Sequence, residues 1–365
     1  MSRPIALAAG GTGGHMFPAE ALAQELLARG HTVVLVTDRR GGAFGDRLAA
    51  VAVYRVHAAG VLGKTTLERV KAMLLLSIGV VQALWLMLRL KPAVVVGFGG
   101  YPSVPALLVA GRVRLPTVLH EQNAVLGRAN RLLAPRAHKL AVAFADTQAV
   151  RDADRAKLVH TGNPVRSAVI ALHGRAYVEP QPGGVLRLLI TGGSQGARVF
   201  ADIVPSAIAS LPTEMRARLE VDHQCRPEDI ERTALSYSTS GIRYEVAAFF
   251  NDMPTRLSRA HLAICRAGAS TIAELTVAGV PAILVPLPSA ADDHQTVNAR
   301  FCETAGAAWL MPQGEFTPPA LARRLFELLR NPERLAAAAR AAQAAAVPDA
   351  GRRLADVVQL AGAAA

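Results

Sequence analysis

Cysteine is nearly missing from this chain: three residues in 365, Cys225, Cys265 and Cys302, far apart and without CxxC spacing. An odd, scattered set of this kind reads as reduced, structural thiols of a cytosolic protein. Aromatic residues make up only 5%, and they do not interleave with basic residues as nucleic-acid-binding surfaces require. Nucleic acid is therefore not expected as a partner. No His/Cys/Asp/Glu constellation has good metal-ligand spacing, so no metal is expected either. The N-terminus runs directly into an apolar strand, and no signal peptide is expected.

Acidic residues are also in deficit. Forty Lys and Arg stand against 28 Asp and Glu, a formal charge of +12, which favours diphosphates and anionic lipid head groups. A hydrophobic content of 51% over 365 residues is enough for two α/β domains, each with its own core.

Two glycine-rich turns organise what is present. An apolar run enters GGTGGH (10–15) in the first half, and another enters GGSQGAR (192–198) in the second. A buried strand that ends in glycine and leads into a helix N-terminus makes an anion cradle, because unpaired N–H groups and the helix dipole face the ligand. Around each turn, strand-like and helix-like stretches alternate. In the first half the strands fall at 4–9, 31–37, 51–56, 93–97, 117–120 and 139–143. In the second they fall at 185–191, 219–222, 244–247, 261–265 and 282–285. This rhythm predicts an α/β fold of two doubly wound parallel sheets. Gly162-Asn163-Pro164 and the Pro/Gly-rich stretch 180–184 mark a junction, giving domains 1–164 and 165–342, with a helix from about 343 to 365 packing back on the first.

Residues 72–88 carry no charge and are bracketed by Arg69, Lys71, Arg89 and Lys91. The length sits at the bottom of the range of about 17–25 residues that spans a bilayer. A span here would divide the first sheet between the two sides of a membrane. A helix dipping into an anionic membrane surface is the preferred reading, with a wholly buried crossover helix as the alternative.

Several motifs have two readings. GGTGGH lacks the G-x-G-x-x-G dinucleotide fingerprint, although Asp38 with Arg39 and Arg40 keeps an NADP-dependent reductase open. His15 argues for base chemistry, since an imidazole titrating near 6.5 suits a general base; a capping or solvent-facing histidine is the plainer reading. Gly63-Lys64-Thr65 imitates a P-loop by chance. Asp152-Ala153-Asp154 imitates a metal-holding acid pair, yet it reads more simply as a solvated charge cluster beside Arg151 and Arg155. Thr271-x-x-Glu274 fits either a capping box or a helix start facing a diphosphate, with Glu274 on a ribose. Asp292-Asp293-His294-Gln295 follows a strand at the ligand-binding edge of its sheet.

The set GGTGGH (10–15), GFGGYPS (97–103), HEQN (120–123), GNPVR (162–166), GGSQGAR (192–198), AGAST.AE (267–274) and DDHQ..NA (292–299) resembles the MurG glycosyltransferase family, in the family's order and across nearly the whole chain. The resemblance implies the GT-B architecture, two Rossmann-like domains facing a cleft. It implies inverting, metal-independent and cofactor-free transfer of N-acetylglucosamine from UDP-N-acetylglucosamine to the muramic acid 4-hydroxyl of lipid I. The product is lipid II, for peptidoglycan synthesis, cell-wall biogenesis, cell shape and cell division. The place would be the inner face of the cytoplasmic membrane, with the enzyme held there peripherally.

Roles carried over by the resemblance fall on matching positions. Thr12, Gly13 and Gly14 line the donor site, Asn123 touches the sugar, and Arg166 and Ser194 meet the diphosphate. Ala269, Ser270, Thr271 and Glu274 hold phosphate and ribose, Gln295 contacts the sugar, and His15 is the base. Phe250 stands where some relatives set Ile against uracil, and His294 where some have a second Gln.

Overall fold

Short runs of Val, Leu, Ile and Ala become strands because both of their faces are buried under helices, the situation that removes polar alternation from parallel sheets. The computed structural model describes residues 3–10, 13–38, 51–58, 66–193 and 196–363. The chain divides into two units, residues 1–166 with 347–365, and residues 167–346.

The strands of unit 1 are β1 (Ile5–Ala8), β2 (Val33–Thr37), β3 (Ala52–Arg55), β4 (Val94–Gly97), β5 (Thr117–Glu121), β6 (Lys139–Val142) and β7 (Leu158–His160). They lie in the order β3-β2-β1-β4-β5-β6-β7, and every pair is parallel. Alternate residues of each strand feed opposite cores. Ile5, Leu7, Val33, Leu35, Val94 and Val96 meet Leu22 and Leu26 of the helix Gly13–Ala28 and Leu354 and Val358 of the helix Ala350–Ala363. Ala6, Ala8, Val34, Val36 and Val95 meet Leu86 and Met87 of the helix Thr66–Leu90 and Val104 and Leu107 of the helix Gly100–Arg112. The C-terminal helix is also held by polar contacts: Arg29 donates to Asp356 at 2.6 Å and Gln359 to His31 at 2.7 Å.

Unit 2 repeats the plan with β8 (Leu186–Thr191), β9 (Leu219–Gln224), β10 (Arg243–Ala247), β11 (Leu262–Cys265), β12 (Ala282–Leu284) and β13 (Ala308–Leu310). Their order is β10-β9-β8-β11-β12-β13, again all parallel. Leu188, Ile190, Val221 and Ile264 pack there against Phe200, Val204, Leu321 and Leu325. Strand order reverses between β1 and β4 in one sheet and between β8 and β11 in the other. The loops on either side of such a reversal diverge to opposite faces and open a crevice at the carboxyl ends of the strands.

The helix Thr66–Leu90 connects β3 to β4, two strands of one sheet. It is long and apolar enough over Val70–Leu90 to cross a membrane, but crossing would tear that sheet apart. The wholly buried alternative also fails. Val70, Met73, Leu74, Ile78, Val81, Trp85 and Leu88 are exposed, Val81 to 67%. The inner side lies so close to the segment that follows β3 that a Cβ on Gly79 would stand 1.8 Å from the His57 carbonyl oxygen.

Candidate active site

In unit 1 the carboxyl ends of β1, β4 and β5 converge. Gly10 is required there, because a Cβ would lie 2.8 Å from Pro102 and 3.0 Å from Thr37 Oγ1. The helix that follows begins at Gly13 and carries half-buried His15 on its first turn. Thr12 lies outside the described residues, while Gly13 and Gly14 open that helix. The imidazole lies against the start of the next helix: a Cβ on Gly99 would be 3.5 Å from His15 Cε1, and one on Gly100 3.4 Å from Nε2. Both glycines have left-handed φ angles, 82° and 70°, so glycine is favoured twice over.

Behind His15 runs a line of hydrogen bonds. His15 Nδ1 pairs with Gln122 Oε1 at 2.9 Å, Gln122 Nε2 with His120 Nδ1 at 2.9 Å, and His120 Nε2 with the Gly162 carbonyl at 3.1 Å. His120 is fully buried, and burial pushes its pKa down to about 4, with the nearby His15 charge lowering it further and the Gly162 bond opposing. It is therefore neutral at physiological pH.

Glu121, between the two, is the hub of the loop. Its carboxylate accepts from Asn123 N–H (3.0 Å), Asn123 Nδ2 (3.2 Å), Gly127 N–H (2.8 Å) and Asn130 Nδ2 (2.8 Å). Four donors satisfy a buried acid and fix the Asn123 amide at the end of β5. Arg166, the last residue of unit 1, sets its guanidinium 5.8 Å from the Phe17 ring centroid. The structure thus groups Arg166 with the helix that carries His15.

In unit 2 the corresponding turn follows β8. A Cβ on Gly192 would be 2.2 Å from Ala197 N, and Gly193 and Gly196 have φ of 79° and 66°. Thr191 Oγ1 donates to Gln224 Oε1 at 2.6 Å and accepts from Gly193 N–H at 3.3 Å, while Gln224 Nε2 donates to the carbonyls of Gly193 and Ala248, each at 3.2 Å. Ser194 lies outside the described residues.

After β11 the helix Ala269–Ala278 starts from Gly268 with no side-chain cap. This corrects the capping-box reading: Thr271 is the third helical residue rather than the cap. The first-turn N–H groups stay available to an anion. Ala269 is buried, Ser270, Thr271 and Glu274 are half-buried, and the Ser270 Oγ is buried without a hydrogen-bond partner. Gln295 Oε1 accepts from Leu287 N–H at 3.0 Å, which holds that amide by its oxygen. It follows two non-glycine residues in left-handed geometry, Asp292 (φ 53°) and Asp293 (φ 51°), strain of the kind that collects at ligand sites. His294 Nδ1 donates to the Ala291 carbonyl at 2.7 Å.

The Phe250 side chain is buried, with the Arg256 guanidinium 3.8 Å above its ring, and so is not free to pack against a base. Neighbouring Phe249 is exposed. Asp154 is held by Arg151 at 2.6 Å and Lys157 at 2.8 Å, and Asp152 by Arg155 at 3.0 Å, which makes this cluster structural. Arg39, Arg40 and the P-loop-like 63–65 lie outside the described residues. Sequence reasoning passed over Gln122, His120, Thr191 and Gln224. The HEQN string was the signal for the first two; the latter two are joined only by the pairing of β8 with β9.

Two doubly wound parallel sheets, each with a glycine-rich turn at its point of reversed strand order, define a GT-B-like nucleotide-sugar transferase architecture. Comparison with known proteins narrows the class. Residues 5–142 match the glycosyltransferase family 28 N-terminal domain and residues 187–354 its C-terminal domain. The chain is 58% identical to the UDP-N-acetylglucosamine--N-acetylmuramyl-(pentapeptide) pyrophosphoryl-undecaprenol N-acetylglucosamine transferase of Rhodospirillum centenum, over 97% of this chain and 93% of that one. It is 49% identical to the transferase of the same name from Caulobacter vibrioides, over 98% and 99%. The crystal structure of Acinetobacter baumannii MurG superimposes with a TM-score of 0.79 at 32% identity, covering 98% of this chain and all of that one. The chain belongs to glycosyltransferase family 28 and, within it, to the MurG family of N-acetylglucosamine transferases.

Proposed function

We propose that the protein transfers N-acetylglucosamine from UDP-N-acetylglucosamine to the muramic acid 4-hydroxyl of lipid I, giving lipid II, with inversion and without a metal. The names of its relatives supply donor and acceptor; the observation that carries the chemistry is His15, held by Gln122 beside Gly99 and Gly100.

Inversion is a single displacement. His15 Nε2 takes the hydroxyl proton as the acceptor oxygen bonds to the anomeric carbon, and the bond to the β-phosphate oxygen breaks with its electron pair leaving on UDP. Charge growing on the diphosphate needs fixed donors. The glycine turn 192–196, the uncapped helix start at Ala269 and the Arg166 guanidinium are the groups we assign to it. Asn123 and Gln295 are assigned to the sugar, Glu274 to the ribose and the Phe250 backbone to uracil.

The exposed apolar stripe of the helix Thr66–Leu90, with Lys71, Arg89 and Lys91 beside it, supports peripheral docking on the anionic cytoplasmic leaflet, where lipid I would be met. Purified protein with a lipid I analogue tests the activity. Transfer that disappears in His15→Ala is the expected result, and absence of transfer by the native protein would overturn the reading. Thermal stabilisation by NADPH and not by UDP-N-acetylglucosamine would instead favour a reductase.

A further inference from the structure

The line of hydrogen bonds behind His15 has a direction, and two backbone carbonyls impose it. A carbonyl oxygen only accepts. His120 Nε2 faces the Gly162 carbonyl at 3.1 Å, so that nitrogen carries the proton and Nδ1 of the neutral ring is an acceptor. Gln122 Nε2 lies 2.9 Å from that Nδ1 and 3.1 Å from the His120 carbonyl. Flipping the amide would set its oxygen against two acceptors at once, so the NH2 group must face His120. Gln122 Oε1 is then the atom 2.9 Å from His15 Nδ1, and Nδ1 must donate to it.

We infer that Gln122 and His120 are positioning residues that keep the proton of His15 on Nδ1, so that the Nε2 lone pair is the one presented beside Gly100. This rests on His15 being the base. The wrong tautomer would offer an N–H where an acceptor is needed. Gln122 does this with a neutral amide, which orients the imidazole without a counter-charge. The far end of the line is anchored as firmly. Gly162 has φ 77°, and a Cβ on it would stand 2.6 Å from Val347 Cβ and 3.0 Å from Ala350 Cβ, at the start of the C-terminal helix. That helix therefore helps to set the carbonyl from which the direction of the line originates.

The test is 15N NMR of histidine-labelled full-length protein near pH 8, read with the kinetics of Gln122→Met. Native His15 should show the signature of a neutral ring protonated at Nδ1. Gln122→Met, which has no comparable acceptor, should lose that signature and lower kcat by about 10–100-fold, less than the ~10²–10⁴-fold of losing the base outright, while the KM for UDP-N-acetylglucosamine stays put. A native ring protonated at Nε2 overturns the inference without any variant, so a misfolded Gln122→Met does not leave it untested. Retention of the Nδ1 proton in a folded Gln122→Met, or its displacement with kcat unchanged, overturns it too. Full activity of His15→Ala removes the base assignment instead, a result the NMR signature cannot produce.

Discussion

Thr191 and Gln224 share a hydrogen bond of 2.6 Å between adjacent strands, and the same Thr191 oxygen accepts the Gly193 N–H. One hydroxyl thus ties the sheet to the first peptide of the glycine turn. Thr191→Val keeps the shape and removes the hydroxyl, leaving Gln224 Oε1 and Gly193 N–H without it. Loss of a buried partner costs ~1–3 kcal/mol. We expect a lower urea midpoint and a donor KM raised roughly tenfold, equivalent to ~1.4 kcal/mol, with kcat changed less. An unaltered donor KM would show that the turn does not depend on this latch.

Gly192 tests the same turn by sterics. A Cβ there would meet backbone atoms, Ala197 N at 2.2 Å and Gly196 C at 2.4 Å, and backbone cannot swing aside as a side chain can. Gly192→Ala should therefore displace the turn and abolish the rise in Tm caused by UDP-N-acetylglucosamine. Gly183→Ala is the control: φ is 71° and nothing lies within 4 Å, so it costs only the ~1–2 kcal/mol of left-handed strain. Equal donor-induced stabilisation in both variants would remove the turn from the donor site.

The difference between these two glycines could not be read from the chain, because it depends on what each backbone touches. The major strands and both glycine turns were legible, since apolar runs ending in glycine are local signals. β7 and β13, three residues each at sheet edges, were not, being too short to show a pattern. The HEQN string located the loop at the end of β5, but the role of Gln122 depends on the Gly162 carbonyl far along the chain. Thr271 looked like a cap because its spacing to Glu274 is right; the helix starts two residues earlier. Which residues of the long helix face outward was not legible either: Leu75, within the uncharged run, is half-buried, while its neighbour Leu74 is exposed.

That helix gives a sharper membrane test. Val81 and Trp85 stand one turn apart, 67% and 58% exposed, and the Arg89 guanidinium lies 5.0 Å from the Trp85 ring centroid. Val81→Glu with Trp85→Glu should lower partition onto phosphatidylglycerol vesicles at least tenfold. Arg89→Ala should reduce mainly the salt-sensitive part, at about 1 kcal/mol per basic residue. Stability should move by no more than ~0.5 kcal/mol, as for other surface changes. Unchanged vesicle binding in the double variant would exclude this face as the docking surface.

Acid should destabilise both units through buried neutral histidines. Burial pushes His120 and His261 down to about 4, with His15 adding to the first shift and Arg187 to the second, and pushes His223 down to about 3. Above pH ~6.5 these rings are neutral in both the folded and unfolded chain, so they contribute no pH dependence. As pH falls from 6.5 towards 4, the unfolded chain binds their protons first, and each group removes stability at up to ~1.4 kcal/mol per pH unit. His223 Nδ1 shares a hydrogen bond of 2.9 Å with the Tyr237 hydroxyl, and the amide of His223→Gln can donate or accept there without a titrating ring. Urea midpoints at pH 7, 5.5 and 4.5 should fall steadily for the native protein and less steeply for His223→Gln. Identical slopes would mean that His223 takes up its proton at the same pH in the folded and unfolded chain, so that its burial does not hold the ring neutral.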